Sequence, residues 1–138
     1  AVRTDDAPKP VGAYPHARRV GDLLYLSGIG PRQAGDNSIP GGPIVDEQGD
    51  ARNYDAAAQT RAVIENIRVI LEAAGSGLNK VVDVTGFLID MDRDFQAYNE
   101  VYTEYFSDIQ ATRTTVEVRS LPTPIAVELK CVALAGDR

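Results

Sequence analysis

Apolar residues recur along this chain with two periods. Between residues 55 and 74 the period is helical. Val63, Ile67, Ile70, Leu71 and Ala74 form one stripe, and Arg61, Glu65, Arg68 and Glu72 face away from it. Asn53 or Asp55 can cap the start, and Gly75 stands where a left-handed C-cap is expected. A second helix is predicted over 92–106, with Phe95, Tyr98, Asn99, Tyr102 and Phe106 on one side. Elsewhere the period is two. Residues 17–20 and 23–27 read as a hairpin closed by Gly21-Asp22, and 81–89 reads as a further strand. Residues 111–134 read as two strands joined by the turn Leu121-Pro-Thr-Pro124, because proline has no N–H to give a central ladder. Residues 32–52 are rich in Gly, Asp, Pro and Asn and read as an irregular loop with a short strand at Ile44-Val45. The order β-β-(β)-α-β-α-β-β predicts one α+β domain over 1–138, a mixed sheet with two helices on one face.

Alternation assigns faces. In one of the last two strands Arg113, Thr115 and Glu117 share a side. In the other, Val127, Leu129, Cys131 and Ala133 lie opposite Glu128, Lys130, Val132 and Leu134. Arg113 and Glu128, on neighbouring strands, make either a structural ion pair or a site for a small anion and a water. The 81–89 strand carries Val82, Val84 and Leu88 on one side and Val81, Phe87 and Ile89 on the other, so both faces are apolar. Two helices cover only one face of a sheet. The other predicts a partner chain, a homo-oligomer with Arg113 and Glu128 at or near the interface.

Composition narrows the chemistry. Lys and Arg number 14 against 20 Asp and Glu, a net charge of −6. Nucleic-acid binding needs clustered positive charge, so no such partner is expected. An anionic substrate would need a local arginine to overcome the field. One histidine and one cysteine make zinc ligation and an intrachain disulfide poor readings. No run of about 18 apolar residues suggests a membrane helix, so no membrane partner is expected. No secretory signal opens the chain, and a reducing, cytoplasmic setting is the expectation.

The chain resembles the RidA/YjgF family of imine/enamine deaminases over nearly its whole length. The resemblance rests on Gly12-Ala-Tyr14, Leu26-Ser-Gly28, Gln59-Thr-Arg-x-Val-x-Glu-Asn-Ile67, Tyr98-Asn99 with Tyr105-Phe106, and Arg113-x-x-Val-Glu-Val-x-x-Leu-Pro122 followed by Glu128. It implies a chorismate-mutase-like fold, a homotrimer with clefts between subunits, and cofactor-free hydrolysis of a small carboxylate substrate. Within the family the chain looks most like 2-aminomuconate deaminase of bacterial aromatic catabolism, through Tyr14-Pro-His16, Arg32 and the Asp36-Asn37 loop. The product would then be 4-oxalocrotonate, with ammonia. The rival readings are a general 2-imino acid deaminase and a non-catalytic metabolite-binding module.

The resemblance gives Arg113 the substrate's α-carboxylate, which a guanidinium grips through two hydrogen bonds. It gives Glu128 the placing and activation of water. Tyr14 and Asn99 match cleft positions that supply hydrogen bonds, and Gly28 and the residue after it would offer backbone N–H groups to a carboxylate. Thr115 stands where many members carry cysteine, and Gly28-Ile-Gly30 replaces a frequent Gly-Gln-x. A substrate with two carboxylates needs a second cationic or donor group. Arg32 is the first candidate, His16 the second and Arg119 a third. The bland alternatives are a structural Arg113 pair with Glu128 or Glu117, a solvated loop arginine and a packed histidine. Cys131, opposite Glu128, is expected in the core.

Overall fold

A computed structural model describes residues 1–136; residues 137–138, the end of the expected domain, lie outside the described residues. Strands β1 (Ala17–Val20) and β2 (Leu23–Leu26) form the expected hairpin, and Gly21 takes the positive φ of 61° that its turn requires. Helix α1 spans Ala56–Ala73, capped by the Asp55 carboxylate on the Ala58 N–H, with Gly75 left-handed beyond it. Strand β3 is Val81–Leu88, helix α2 Met91–Phe106, β4 Thr112–Glu117 and β5 Val127–Leu134. The helices pack on each other and on one face of the sheet. Val63, Ile64, Ile67, Ile70 and Leu71 of α1 meet Leu24, Leu26, Val84, Leu88, Leu129 and Cys131 in one buried core. The mixed sheet with two helices on one face is therefore as the pattern predicts. The short strand at Ile44-Val45 reduces to a single bridge, Val45 with Ala51.

The strand order is β1-β2-β5-β3-β4. This corrects the reading of Arg113 and Glu128 as residues of neighbouring strands. β5 runs antiparallel between β2 and β3, and β4 joins the far edge, parallel to β3. A parallel pair needs a crossover, and α2 is that crossover. The Pro-rich segment therefore spans β3 instead of closing a hairpin.

Register then separates the two residues further. Val84 of β3 pairs with Arg113 on one side and Cys131 on the other, whereas Phe87 pairs with Glu128. Val84 and Phe87 differ by an odd number of positions, so they point to opposite faces. Arg113 and Thr115 project onto the helix-covered face at the sheet edge. Glu128 projects onto the uncovered face. Of the two residues expected at or near a partner interface, Glu128 lies on the uncovered face and Arg113 on the edge strand of the other face.

That open face is apolar, as expected. Tyr25, Val116 and Leu134 are exposed there, with Phe87 and Val132 half-buried beside them. One detail differs. A bulge between Val81 and Asp83 turns Val81 into the core and leaves Val82 exposed, so Val82 does not share the side of Val84 and Leu88.

Gly86 of β3 lies beneath α2. A Cβ there would overlap the hydroxyl of fully buried Tyr98. Gly86→Ala should cost about 1–3 kcal/mol through overpacking. A thermal melt of the variant against wild type checks this.

Candidate functional site

The face of the sheet without helices carries a cleft of about 120 Å³ lined by Val11, Tyr14, Gly28, Gly30, Arg32, Pro122, Thr123, Ile125 and Glu128. Its shape follows from a break in β2. Ladder pairing runs from Leu23–Leu134 to Tyr25–Val132 and resumes at Ile29–Leu129. Between those pairings Leu26, Ser27 and Gly28 oppose only Cys131 and Lys130. The extra residue buckles the strand and brings Gly28 over Glu128. A Cβ on Gly28 would lie 2.5 Å from Glu128 Oε2. A larger residue at position 28 would push that carboxylate aside. Lys130 Nζ donates to the carbonyl of Leu26 at 2.6 Å within the break. Ile29 exchanges backbone hydrogen bonds with Leu129 at 2.8 and 3.0 Å and so restores the ladder, which takes the N–H of the residue after Gly28 that was expected to face a carboxylate.

Two polar residues on the inner face of α1 hold the loops around this cleft. Asn66 Nδ2 donates to the carbonyls of Gly30 and Arg32 at 2.9 and 2.8 Å. Fully buried Gln59 donates to the Gly42 carbonyl and accepts from the Ala126 N–H, both at 2.8 Å. These supporting roles were not assigned from the sequence. The available signal was amide side chains on the same face as Val63, Ile67 and Ile70, where a buried polar group needs a specific partner.

Burial pushes the Glu128 carboxyl above the usual glutamate range, and no cation of its own chain contributes to the shift. This agrees with the strand register that turns Arg113 away. Arg32 lines the same cleft, but its guanidinium donates to Asn37 Oδ1 at 2.9 Å and to the Lys9 carbonyl at 2.8 Å. His16 is buried, and both of its ring nitrogens are engaged. Nδ1 accepts from the Thr4 N–H at 3.2 Å, so Nε2 carries the proton it shares with the Pro8 carbonyl at 2.8 Å. It anchors the N-terminal arm instead of presenting a donor to a ligand. Arg119 is exposed outside the cleft lining.

A second cluster forms where α2 crosses the edge strand. The half-buried Arg113 guanidinium donates to Asn99 Oδ1 at 2.8 Å. It lies 4.5 Å from the ring centre of Tyr102, 5.5 Å from that of Tyr98 and 5.8 Å from that of Phe95. Thr115 shares a hydrogen bond of 3.1 Å with the Tyr98 hydroxyl. Among the described residues Arg113 forms no salt bridge, neither with Glu128 nor with Glu117; Glu117 instead accepts from the Met91 N–H. Cys131 lies in the core as expected, and burial pushes its thiol up to about 12.

The candidate residues thus fall into two groups on opposite faces of one sheet: Tyr14, Gly28, Arg32 and Glu128 in one, Arg113, Asn99 and Thr115 in the other. No cluster of metal-ligating side chains occurs among the described residues, and no described helix is long and apolar enough to cross a membrane.

A one-domain α+β chain with a small cleft around Glu128 and a separate arginine held among aromatic rings is the class that fold and site define. Residues 4–135 match the family model described as Endoribonuclease L-PSP. A RutC family protein of Pyrococcus horikoshii is 42% identical over 132 residues, covering 96% of this chain and 94% of its own. The crystal structure of RidA from the Antarctic bacterium Psychrobacter aligns with a TM-score of 0.74 at 34% identity, covering 96% of this chain and 97% of that one. Escherichia coli TdcF with bound serine aligns with a TM-score of 0.81 at 29% identity, covering 98% of each chain. The chain belongs to the RutC/RidA/YjgF family, and its sheet and helices are those of that chorismate-mutase-like fold.

Proposed function

We propose that this protein hydrolyses 2-imino acids and their enamine tautomers, and that its working site joins the Glu128 cleft of one chain to the Arg113 cluster of another in a homotrimer. The observation that carries the reading is the Glu128 carboxylate: open to a small cleft, backed by Gly28 and offset by no cation of its own chain. The exposed apolar sheet face supplies the surface for the neighbouring copies. An arginine delivered from a neighbour would give the cleft the charge an anionic substrate needs.

The substrate's carboxylate rests on the Arg113 fork. Glu128 accepts a proton from water as the oxygen bonds to the imine carbon. It returns that proton to the nitrogen of the tetrahedral adduct. The same carboxylate then takes the adduct's hydroxyl proton and passes it to the nitrogen; the C=O forms as the C–N bond breaks, and ammonia and a 2-oxo acid leave. A raised glutamate pKa makes the carboxylate a stronger base for the first transfer and brings its titration nearer the working pH, so that one group serves as base and then as acid. Tyr14 and the backbone at Gly28 steady the substrate, and no cofactor takes part. The family model's description names a ribonuclease, but a net charge of −6 is a poor match for a polyanion. Such small-molecule work fits a cytoplasmic setting.

The narrower reading is 2-aminomuconate as substrate and 4-oxalocrotonate as product. Arg32 supports it by lining the Glu128 cleft, where it would meet a second carboxylate after leaving Asn37. Arg32→Ala should then raise KM for aminomuconate about tenfold or more and leave 2-iminopropionate unaffected. Equal effects on both substrates would return the assignment to a general deaminase.

The test is ammonia release from enzymatically generated 2-iminopropionate and 2-aminomuconate, by wild type and Glu128→Gln. Release by wild type, lost in the variant, supports hydrolysis. No release from either substrate would overturn it and leave a metabolite-binding role, for which TdcF with bound serine is the relevant relative.

A further inference from the structure

Arginine carries several freely rotating bonds, and a guanidinium at a sheet edge has many rotamers open to it. Arg113 is nonetheless confined. Phe95, Tyr98 and Tyr102 are spaced three and four residues apart and form one stripe of α2. Their ring centres all lie within 6 Å of the guanidinium carbon, with Tyr102 nearest at 4.5 Å. Tyr102 is itself fixed: it is buried, and its ring stacks on Phe106 at 4.6 Å, tilted only 20°.

The Tyr102 hydroxyl has no hydrogen-bond partner among the described residues, although it is buried. Burial pushes that hydroxyl up to about 12. The ring face, not the hydroxyl, is therefore what Tyr102 offers its surroundings. Asn99 takes one edge of the guanidinium through Oδ1. With one face against the aromatic stripe and one edge on Asn99, the remaining N–H groups are left for a carboxylate.

We infer that Tyr102 is a positioning residue, whose buried ring holds the Arg113 guanidinium as a preset fork for the substrate's carboxylate. The inference rests on the proposed carboxylate-binding role of Arg113. Its contribution is a cation–π contact with a largely desolvated ring, present equally in ground and transition states. Losing it therefore raises KM and spares kcat.

The experiment measures kcat and KM for 2-iminopropionate in Arg113→Ala, Tyr102→Leu, Tyr102→Phe and Phe95→Leu, with thermal melts of each. Tyr102→Leu should raise KM about tenfold with little change in kcat. Tyr102→Phe keeps the ring and should rescue KM, at equal or higher melting temperature. Phe95 is partly exposed, so Phe95→Leu keeps the fold and should raise KM less, in the same direction. A folded Tyr102→Leu with wild-type KM overturns the inference, provided Arg113→Ala is impaired. Should Tyr102→Leu fail to fold, an unchanged KM in Phe95→Leu counts against the stripe in the same way. If Arg113→Ala is itself unimpaired, the carboxylate-binding reading fails instead.

Discussion

Arg113→Ala should lower kcat/KM on 2-imino acids by roughly thirtyfold to several thousandfold, corresponding to on the order of 2–5 kcal/mol for a buried ion pair with substrate. The structure explains why the loss is large and specific. Among the described residues no carboxylate neutralises this guanidinium, so its charge is available to a ligand. Its donors are oriented by Asn99 and the α2 rings before substrate arrives. Arg113→Lys keeps the charge but not the fork, and should recover only part of the activity. The fold should be little affected, because Arg113 lies at an edge strand and joins no ion-pair network. Steady-state kinetics and a melt of both variants check this. Wild-type kcat/KM in Arg113→Ala would remove the residue from the site.

Glu128→Gln should lower kcat by about 10²–10⁴-fold, the range for a positioned general base, with a small effect on KM. The same substitution should raise stability at neutral pH. Burial lifts the Glu128 pKa above its unfolded value. In the window between the two values the folded state binds the proton more tightly than the unfolded one. Stability from this group is fully present below the unfolded pKa and is lost as pH rises through the folded pKa. Glutamine carries no charge to bury, so the variant should lose that pH slope and melt higher than wild type at neutral pH. In kcat, the wild-type profile should show an acid limb, because the base must be ionised. Melts across a pH series and a kcat–pH profile separate the two effects. A variant of unchanged kcat would take Glu128 out of catalysis.

Local pattern made much of this molecule legible. The hairpin at Gly21-Asp22, the α1 stripe with its Asp55 cap and Gly75 terminator, and the aromatic side of α2 all rest on contacts close in sequence. So does the surplus of apolar residues on the second face, visible in Val132 and Leu134. Non-local pairing was not legible. Nothing in residues 111–134 says that β5 inserts between β2 and β3 while β4 goes to the far edge. Period two correctly groups Arg113 with Thr115, yet it cannot say which side faces the helices. Thr114 and Val116 look the better inward pair. On an edge strand only partly covered by α2, the long side chain of Arg113 turns under the helix and stays half-buried. The extra residue between Tyr25 and Ile29 was hidden for the same reason, because a bulge is defined by its partner strand. The single histidine looked chemical by type. Its burial and its two backbone partners, Thr4 and Pro8, depend on where the N-terminal arm docks.

The central claim is that one working site needs Arg113 and Glu128 from different chains. The most direct measurement is subunit complementation. Arg113→Ala and Glu128→Gln, each inactive alone, are unfolded, mixed in equal amounts and refolded together, and ammonia release is assayed. In a ring of three randomly mixed chains, about one cleft in four regains both groups, so about a quarter of wild-type activity should return. Refolding each variant separately and mixing afterwards gives the baseline. If both residues served one cleft within a single chain, co-refolding would restore nothing above that baseline, and the two-chain site would be contradicted.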